Sequence, residues 1–394
     1  MKVAFVSDFP ETADRPVAGV ESVVVRLSSA MARRGDVEVH AITFDGALGE
    51  ARTDDVAGVR VHRFPRAMLG NVTFGWHERR VTARALRDLA PDVAHVHWLG
   101  PPALGAADSG VPWVATAHGM QEAEGKTLPG LLNRVRAGAY AAMERMSLRE
   151  LRHLIVISPY VLDYFGDRLR GVRTYAIENP VADEFFDVRG PGDPRTILFT
   201  GRLIPRKDVE TLLDAAGRLA AEGREFRLRI AGAADDPAYE AELRRRALGH
   251  NVAACVDFLG PLGPAAIAGE LARAGVLAMP SRQETAPVSV MEAMAAGLPV
   301  VATDAGGTRW IVEGGVSGTL VPIGDDASLA DALRGYLDDP IRARAHGAAG
   351  RRIAQSRFRL DTVVDRTLGA YRGVIDAARA PETEKPLDRD RVIA

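Results

Sequence analysis

Apolar and polar positions alternate along this chain in regular blocks. Short, nearly continuous apolar runs stand at 2–7, 37–43, 59–64, 92–97, 111–117, 154–158 and 174–177. A second series follows at 196–200, 226–231, 252–259, 275–279 and 299–303. Between these runs lie stretches whose apolar residues recur three and four apart: 20–32, 78–89, 126–152 and from 159, then 209–221, 238–248, 265–273 and 287–296. Continuous apolar runs read as strands buried on both faces, and the 3.6-residue period reads as the helices that cover them. Strand alternating with helix predicts parallel sheets built from βαβ units.

The pattern breaks between 183 and 195, where Asp187, Gly190, Pro191, Gly192, Asp193 and Pro194 cluster. Such a cluster marks a linker between domains. The expectation is an α/β chain of two Rossmann-like, doubly wound domains, 1–185 and 186–360, facing a cleft. A long helix at 361–380 is expected to return toward the first domain, and the charged tail 381–394 to be disordered.

Composition narrows the class. Of 394 residues, 47% are apolar and 26% charged, as in ordinary globular enzymes, and the net charge of −2 gives no global basic field for nucleic acid. The single cysteine, Cys255, excludes an internal disulfide and any multi-cysteine zinc site. The apolar run 3–6 is too short for a signal-peptide core, and no run reaches the roughly 18 residues of a membrane span, so a cytoplasmic protein is expected. Lys126, Arg134, Arg136, Arg145, Arg149 and Arg152 are interleaved with Leu131, Leu132, Val135, Tyr140, Met143 and Met146. This basic 126–152 stretch reads as a core-facing helix with a solvated face, or as a peripheral contact with anionic lipid.

Ligands of doubly wound sheets bind beyond the carboxyl ends of the strands. The most informative such loop follows the run 275–279. Glu284 lies in it, Pro287 opens a helix that carries Glu292, and Gly297 closes that helix before the next strand. A helix N-terminus there offers amides to an anion, while Glu284 and Glu292 read either as ligand groups or as solvated positions. After the run 196–200, Arg202 and Lys207 bracket a loop, and two cations five apart suit a diphosphate or simply face water. Asp208 is the expected N-cap of helix 209–221. Gly232, Phe258 and Gly260 close other strands. In the first half, Gly19 opens a helix, either as a turn glycine or to let backbone approach a phosphate. His118 stands at a strand end next to Gly119, as a ligand group or a polar loop residue. His95 and His97 share one strand face, but no third ligand accompanies them, so no metal is expected.

Taken together these passages resemble a known family. Pro-Ser-x-x-Glu at 280–284 and Glu-Ala-Met-Ala-x-Gly-x-Pro-Val-Val-Ala at 292–302 set Glu284 and Glu292 in a Glu-x7-Glu pattern. With Gly201-Arg202-Leu203 and Lys207, Ala18-Gly19-Val20, Thr116-Ala117-His118-Gly119 and Asn179-Pro180-Val181 in order, the chain from 2 to about 371 resembles the retaining glycosyltransferases of family 4, which have the GT-B fold. The resemblance implies a nucleotide-sugar donor bound by the C-terminal half, an acceptor hydroxyl (sugar, lipid-linked or small-molecule) bound by the N-terminal half, and front-face transfer without a metal or other cofactor. It implies diphosphate contacts from Arg202 and Lys207, sugar contacts from Glu284, ribose contacts from Glu292, and His118 near the transferring sugar. Gly19 would close over the phosphates, the backbone from Phe258 to Gly260 would meet the base, and Gly232, Pro287, Val288 and Ser289 would complete the donor site. Where the family commonly has Gly-Phe-Gly-Leu after the first glutamate, this chain has Thr285-Ala286-Pro287-Val288; Thr308-Arg309 replaces a common Pro-Glu. A non-catalytic nucleotide-sugar-binding subunit, or another GT-B enzyme such as a sugar phosphorylase, is the alternative.

Overall fold

The computed structural model describes residues 1–12, 19–66, 75–120 and 131–380, the side chains of 131–137 excepted. The chain divides into two units, Met1–Pro180 with Leu360–Ala394, and Val181–Arg359.

The first unit is built on β1 (Lys2–Val6), β2 (Glu38–Asp45), β3 (Arg52–Val56), β4 (Val59–Pro65), β5 (Val93–Val96), β6 (Trp113–Thr116), β7 (His153–Val156) and β8 (Arg173–Ala176). They form one sheet in the order β3-β4-β2-β1-β5-β6-β7-β8. The described pairings are parallel except β3 with β4. Covering helices are α1 (Gly19–Ala32), α2 (Trp76–Leu89), α3 (Pro101–Ser109), α4 (Leu131–Glu150) and α5 (Pro159–Phe165). The strand order reverses between β1 and β5, so the ligand-binding switch point lies at their carboxyl ends.

The second unit carries α6 (Asp183–Asp187), β9 (Asp193–Thr200), α7 (Val209–Ala221), β10 (Arg227–Ala231), α8 (Pro237–Gly249), β11 (Val256–Gly260), α9 (Pro264–Arg273) and β12 (Ala274–Met279). It continues with α10 (Val288–Ala296), β13 (Val300–Thr303), β14 (Gly318–Val321), α11 (Asp326–Leu337) and α12 (Pro340–Arg357). Its parallel sheet runs β11-β10-β9-β12-β13-β14, the dinucleotide-fold order, with the switch between β9 and β12. Helix α10 lies in the core. Val290, Met291 and Met294 have no exposed surface, and each such side chain contributes about 1.5–3 kcal/mol when fully buried. Gly297 ends α10 at φ 82°, with its N–H on Ala293 O and Met294 O. A Cβ on Gly347 of α12 would meet the Gly297 carbonyl at 2.0 Å, so α12 passes against that turn at backbone distance.

Helix α13 (Leu360–Arg379) groups with the first unit. It packs on α1; just past the end of that helix Arg34 reaches Asp365 at 2.7 Å, and Tyr371 enters the core.

Several boundaries differ from the sequence reading. The division falls at Pro180/Val181 rather than at 185/186, because the supposed linker is held by the second unit. Residues 183–187 form α6, and the Arg351 guanidinium binds the carbonyls of Phe186, Val188 (2.7 Å) and Ala295 (2.8 Å). Strand β3 and helix α3 were not expected at all. Strand β3, Arg-Thr-Asp-Asp-Val, is a polar sheet edge with no alternation of burial. Helix α3 opens with two prolines and contains Gly105, where a Cβ would meet Arg79 O of α2 at 2.5 Å. Close helix packing, not chain flexibility, accounts for that glycine.

On α4, Ala141, Met143, Glu144, Ser147 and Leu148 are buried while Arg145, Met146, Arg149 and Glu150 are exposed, a core-facing helix with a solvated face. The expected basic stretch also includes 126–130, which lies outside the described residues, as does the tail 381–394. No helix among the described residues is long and apolar enough to cross a membrane.

Candidate active site

The second unit's switch point is lined by the loops after β9 and β12. After β9, Gly201 N donates to Ala231 O at 3.0 Å and Leu203 N to Ala233 O at 2.8 Å, so the chain follows β10 outward before turning at 205–207. Gly232 makes this possible: a Cβ there would lie 1.8 Å from Gly201 O. Its N–H donates to Gly260 O at 2.8 Å, tying in the end of β11.

The two loops are then stitched together. Arg282 N donates to Arg206 O at 2.8 Å, the Arg206 guanidinium to Gln283 O at 3.1 Å, and the Arg282 guanidinium to Asp208 Oδ1 at 3.0 Å. Gly307 N holds Glu284 O at 2.8 Å from the next strand end. The result brings Lys207 Nζ to 2.5 Å from Glu284 Oε1, with Arg206 Nη1 3.9 Å from Oε2. Side-chain exposures of 13% for Lys207 and 6% for Glu284 make this a buried pair. Burial by itself raises the Glu284 carboxyl pKa. The charges of Lys207 and Arg206, with hydrogen bonds from Lys207 and Ser281, outweigh that and hold it below the ordinary value. Two cations against one carboxylate leave the cluster net positive.

The N-terminus of α10 follows at once. Pro287 occupies the position before the helix, and its carbonyl accepts from Val290 N at 3.1 Å and Met291 N at 3.3 Å. The amides of Val288 and Ser289 thus precede the first intrahelical bonds, at the positive end of the helix dipole. Glu292, one turn further on, is buried, which removes the reading of a solvated surface position.

Not every expected residue joins this cluster. The Arg202 fork is taken by Asp235, with Nε 3.0 Å from Oδ1 and Nη2 on Oδ2, in a half-exposed pair. Its place beside Lys207 is taken by Arg206, which the sequence reading passed over although it adjoins Lys207. Asp208 is not a side-chain N-cap: it sits at φ 52°, fully buried, and its carboxylate accepts from Thr211 Oγ1 (2.8 Å) and Arg282 instead of a backbone amide. Phe258 is half-buried under the Arg244 guanidinium, 4.3 Å from the ring centre. Gln283, also passed over, has both amide atoms shielded from solvent with no protein partner.

The first unit's switch point carries histidines. His97 follows β5 and His118 follows β6, and His97 Nδ1 lies 2.8 Å from His118 Nε2 with the rings nearly parallel. His95, inside β5, is bonded through Nδ1 to the Tyr371 hydroxyl (2.7 Å) and through Nε2 to Thr116 Oγ1 (2.7 Å). Burial pushes His95 and His118 down to about 3, with the His118 charge adding to the effect on His95. It also pushes His97 well below its ordinary value, helped by His95 and His118. All three rings are neutral near pH 7. Among the described residues no three potential ligands converge on a metal site. Gly19 opens α1 at the surface, and a Cβ there would meet nothing within 4 Å, so no steric demand for glycine acts at that position.

Two parallel-sheet α/β units, each with polar side chains at the strand ends of its switch point, are the architecture of the GT-B fold. Residues 17–185 match the family described as Glycosyltransferase Family 4, and residues 181–353 match the one described as Glycosyl transferases group 1. The chain is 30% identical to the D-inositol 3-phosphate glycosyltransferase of Geodermatophilus obscurus, over 94% of this chain and 89% of that protein. Among solved structures, sucrose-phosphate synthase from Thermosynechococcus elongatus matches with a TM-score of 0.78 and 24% identity, over 95% of this chain and 99% of that one. HepE of Anabaena in complex with UDP-glucose matches with a TM-score of 0.71 and 21% identity, over 94% and 100%. The chain belongs to the family 4 glycosyltransferases of GT-B fold.

Proposed function

We propose that this glycosyltransferase moves a sugar from a nucleoside-diphosphate sugar to an acceptor hydroxyl with retention of anomeric configuration and without a metal ion. The observation that carries the reading is the buried, net-positive Lys207–Arg206–Glu284 cluster beside the first amides of α10, at the β9/β12 switch point. A diphosphate matches that cluster in charge, and UDP-glucose is the ligand of the structurally similar HepE. Lys207, Arg206 and the amides of Val288 and Ser289 neutralise the departing diphosphate, the work a divalent ion would otherwise perform. Arg202 joins them by exchanging Asp235 for phosphate oxygens. Glu284, held ionised, accepts hydrogen bonds from donor-sugar hydroxyls, and Glu292 serves the ribose. The bond from the anomeric carbon to the phosphate oxygen breaks, the bond to the acceptor oxygen forms on the same face, and the acceptor proton passes to the departing phosphate oxygen. Free nucleoside diphosphate is the second product.

The test begins with a thermal-shift screen of nucleoside diphosphates and their sugars, since a ligand of the folded state raises the melting temperature. The donor found is then assayed with sugar, lipid-linked and small-molecule hydroxyl acceptors. Product NMR should show the donor's own anomeric configuration, chelators should leave turnover unchanged, and Lys207→Ala and Glu284→Ala should each lower kcat/KM by about 100-fold or more. Variants within threefold of the parent enzyme would refute the site, and inversion would refute the stereochemistry.

A further inference from the structure

The mechanism leaves His97 unused, although it is a buried polar group at the first unit's switch point. We propose that His97 is a positioning residue that locks the His118 ring in one orientation and one tautomer, leaving Nδ1 of His118 as the nitrogen offered to a ligand. The inference takes from the transferase reading only the expectation, implied by the family resemblance, that His118 meets the transferring sugar. His97 Nδ1 occupies His118 Nε2 at 2.8 Å, and the two rings stack at 10° with centres 5.1 Å apart. No described residue takes Nδ1 of His118. On its other side His97 is closed in by the His95 ring, 4.0 Å away between centres, and by Phe5 at 5.6 Å. Its Nε2 is shielded from solvent with no partner.

Burial keeps each of these rings neutral, so each carries one ring proton. A neutral pair joined by a single Nδ1···Nε2 hydrogen bond admits two proton arrangements. Either His97 donates and His118 is protonated on Nδ1, or His118 donates and its Nδ1 is a bare acceptor. In the first, the sealed Nε2 of His97 is an unpaired acceptor; in the second, an unpaired N–H. These differ in desolvation cost, and a difference of about 1.4 kcal/mol suffices for a tenfold preference. The pair therefore settles into one arrangement, and a site histidine that would otherwise exchange tautomers is presented in a single form. His95 is held independently between Tyr371 and Thr116, so His97 is the member of the series that controls His118.

The test uses the full chain with its histidines 15N-labelled, His118 being assigned by its loss in a His118→Gln variant. Long-range 1H–15N spectra should show one His118 tautomer at more than about 90% in the parent protein and a mixture in His97→Phe, which keeps the packing and removes the nitrogen. His97→Asn, whose amide falls near the position of Nδ1, should restore the single form. In the transfer assay, His97→Phe should lower kcat by at least about tenfold with donor KM unchanged within about twofold, and His97→Asn should recover most of the loss. A mixture of tautomers in the parent protein, or a His118 spectrum unaltered in a His97→Phe variant that melts cooperatively, overturns the proposal. If His97→Phe fails to fold, His97→Leu, which also removes the nitrogen, decides it by the same criterion. The spectra need no substrate, so they read the positioning role even where every donor fails and the transferase reading falls.

Discussion

Replacing Lys207 with Met is the most direct physical probe of the Lys207–Arg206–Glu284 cluster. The change removes the cation 2.5 Å from Glu284 and leaves Arg206, 3.9 Å away, as the remaining positive charge beside a carboxylate only 6% exposed. Removing one partner of a buried pair costs about 3–5 kcal/mol, because the other charge stays buried without it. Arg206 lies close enough to keep part of the attraction, so the lower end applies, about 3 kcal/mol. For a unit of this size that corresponds to a fall of roughly 6–12 °C in melting temperature at pH 7. The pH dependence carries a definite sign. The Glu284 carboxyl is held below its ordinary value in the folded protein. The stability it contributes is therefore present above the unfolded value, about 4.3, and is lost as pH falls through the folded value. Parent and variant should differ most near neutrality and converge in acid. A double variant, Lys207→Met with Glu284→Leu, removes both charges and should recover to within about 1 kcal/mol of the parent. Thermal and urea unfolding at pH 7 and pH 4 measure all three. A single-variant cost below about 1 kcal/mol at pH 7, or a double variant equal to the sum of its parts, would refute the account of a buried, mutually dependent pair.

Three further outcomes follow from local geometry. Gly232→Ala puts a methyl 1.8 Å from Gly201 O and should cost more than about 2 kcal/mol as well as weakening nucleotide-induced thermal shifts, whereas Gly369→Ala, with nothing within 4 Å inside α13, should stabilise by about 0.5–1 kcal/mol. At Asp208, Ala and Gly both lose the bonds to Arg282 and Thr211, but Ala alone keeps the strain of φ 52°, so Asp208→Ala should unfold about 1 kcal/mol more easily than Asp208→Gly. Acid should destabilise the first unit through His95, His97 and His118: their folded values lie well below 6.5, so the unfolded chain binds more protons and stability falls as pH drops from about 6.5 toward 3. A His97→Phe variant should be less sensitive to acid than the parent in melts between pH 6.5 and 5.

The elements legible in the sequence are those whose burial is uniform. Strand β12, buried at every position, and α7, with Val209, Leu212, Leu213, Ala216 and Leu219 on one face, follow from period alone. Strand β3 and helix α3 do not, because their reasons to exist lie elsewhere in the chain. The edge strand is fixed by pairing with β4, where Arg63 of β4 binds Asp54 at 2.7 Å, and α3 by a neighbour that demands Gly105. The units divide five residues before the expected boundary for a related cause, since a glycine- and proline-rich segment reads as a free linker until Arg351, some 160 positions later, is seen to bind carbonyls within it.

The same distinction governs the site. Lys207 and Glu284 were legible because a strand end followed by a loop is where doubly wound sheets bind ligands, and the order β9-β12 makes those two loops neighbours. Which cation stands at the carboxylate was not legible, because spacing along a loop does not fix direction. Arg202 is five residues from Lys207, yet it follows β10 and meets Asp235. Arg206 adjoins Lys207, and a turn at 205–207 together with the Arg282 N–H to Arg206 O bond aims it at Gln283 and Glu284. In the proposed reading, a diphosphate at this switch point meets Lys207 and Arg206 already assembled, while Arg202 exchanges one acidic partner for another. In that exchange Asp235 sets the cost of recruiting Arg202, and in an exposed pair the cost is small, about 1 kcal/mol or less. On that reading the buried cluster supplies the standing positive field, and the half-exposed Arg202 is the part that responds to the ligand.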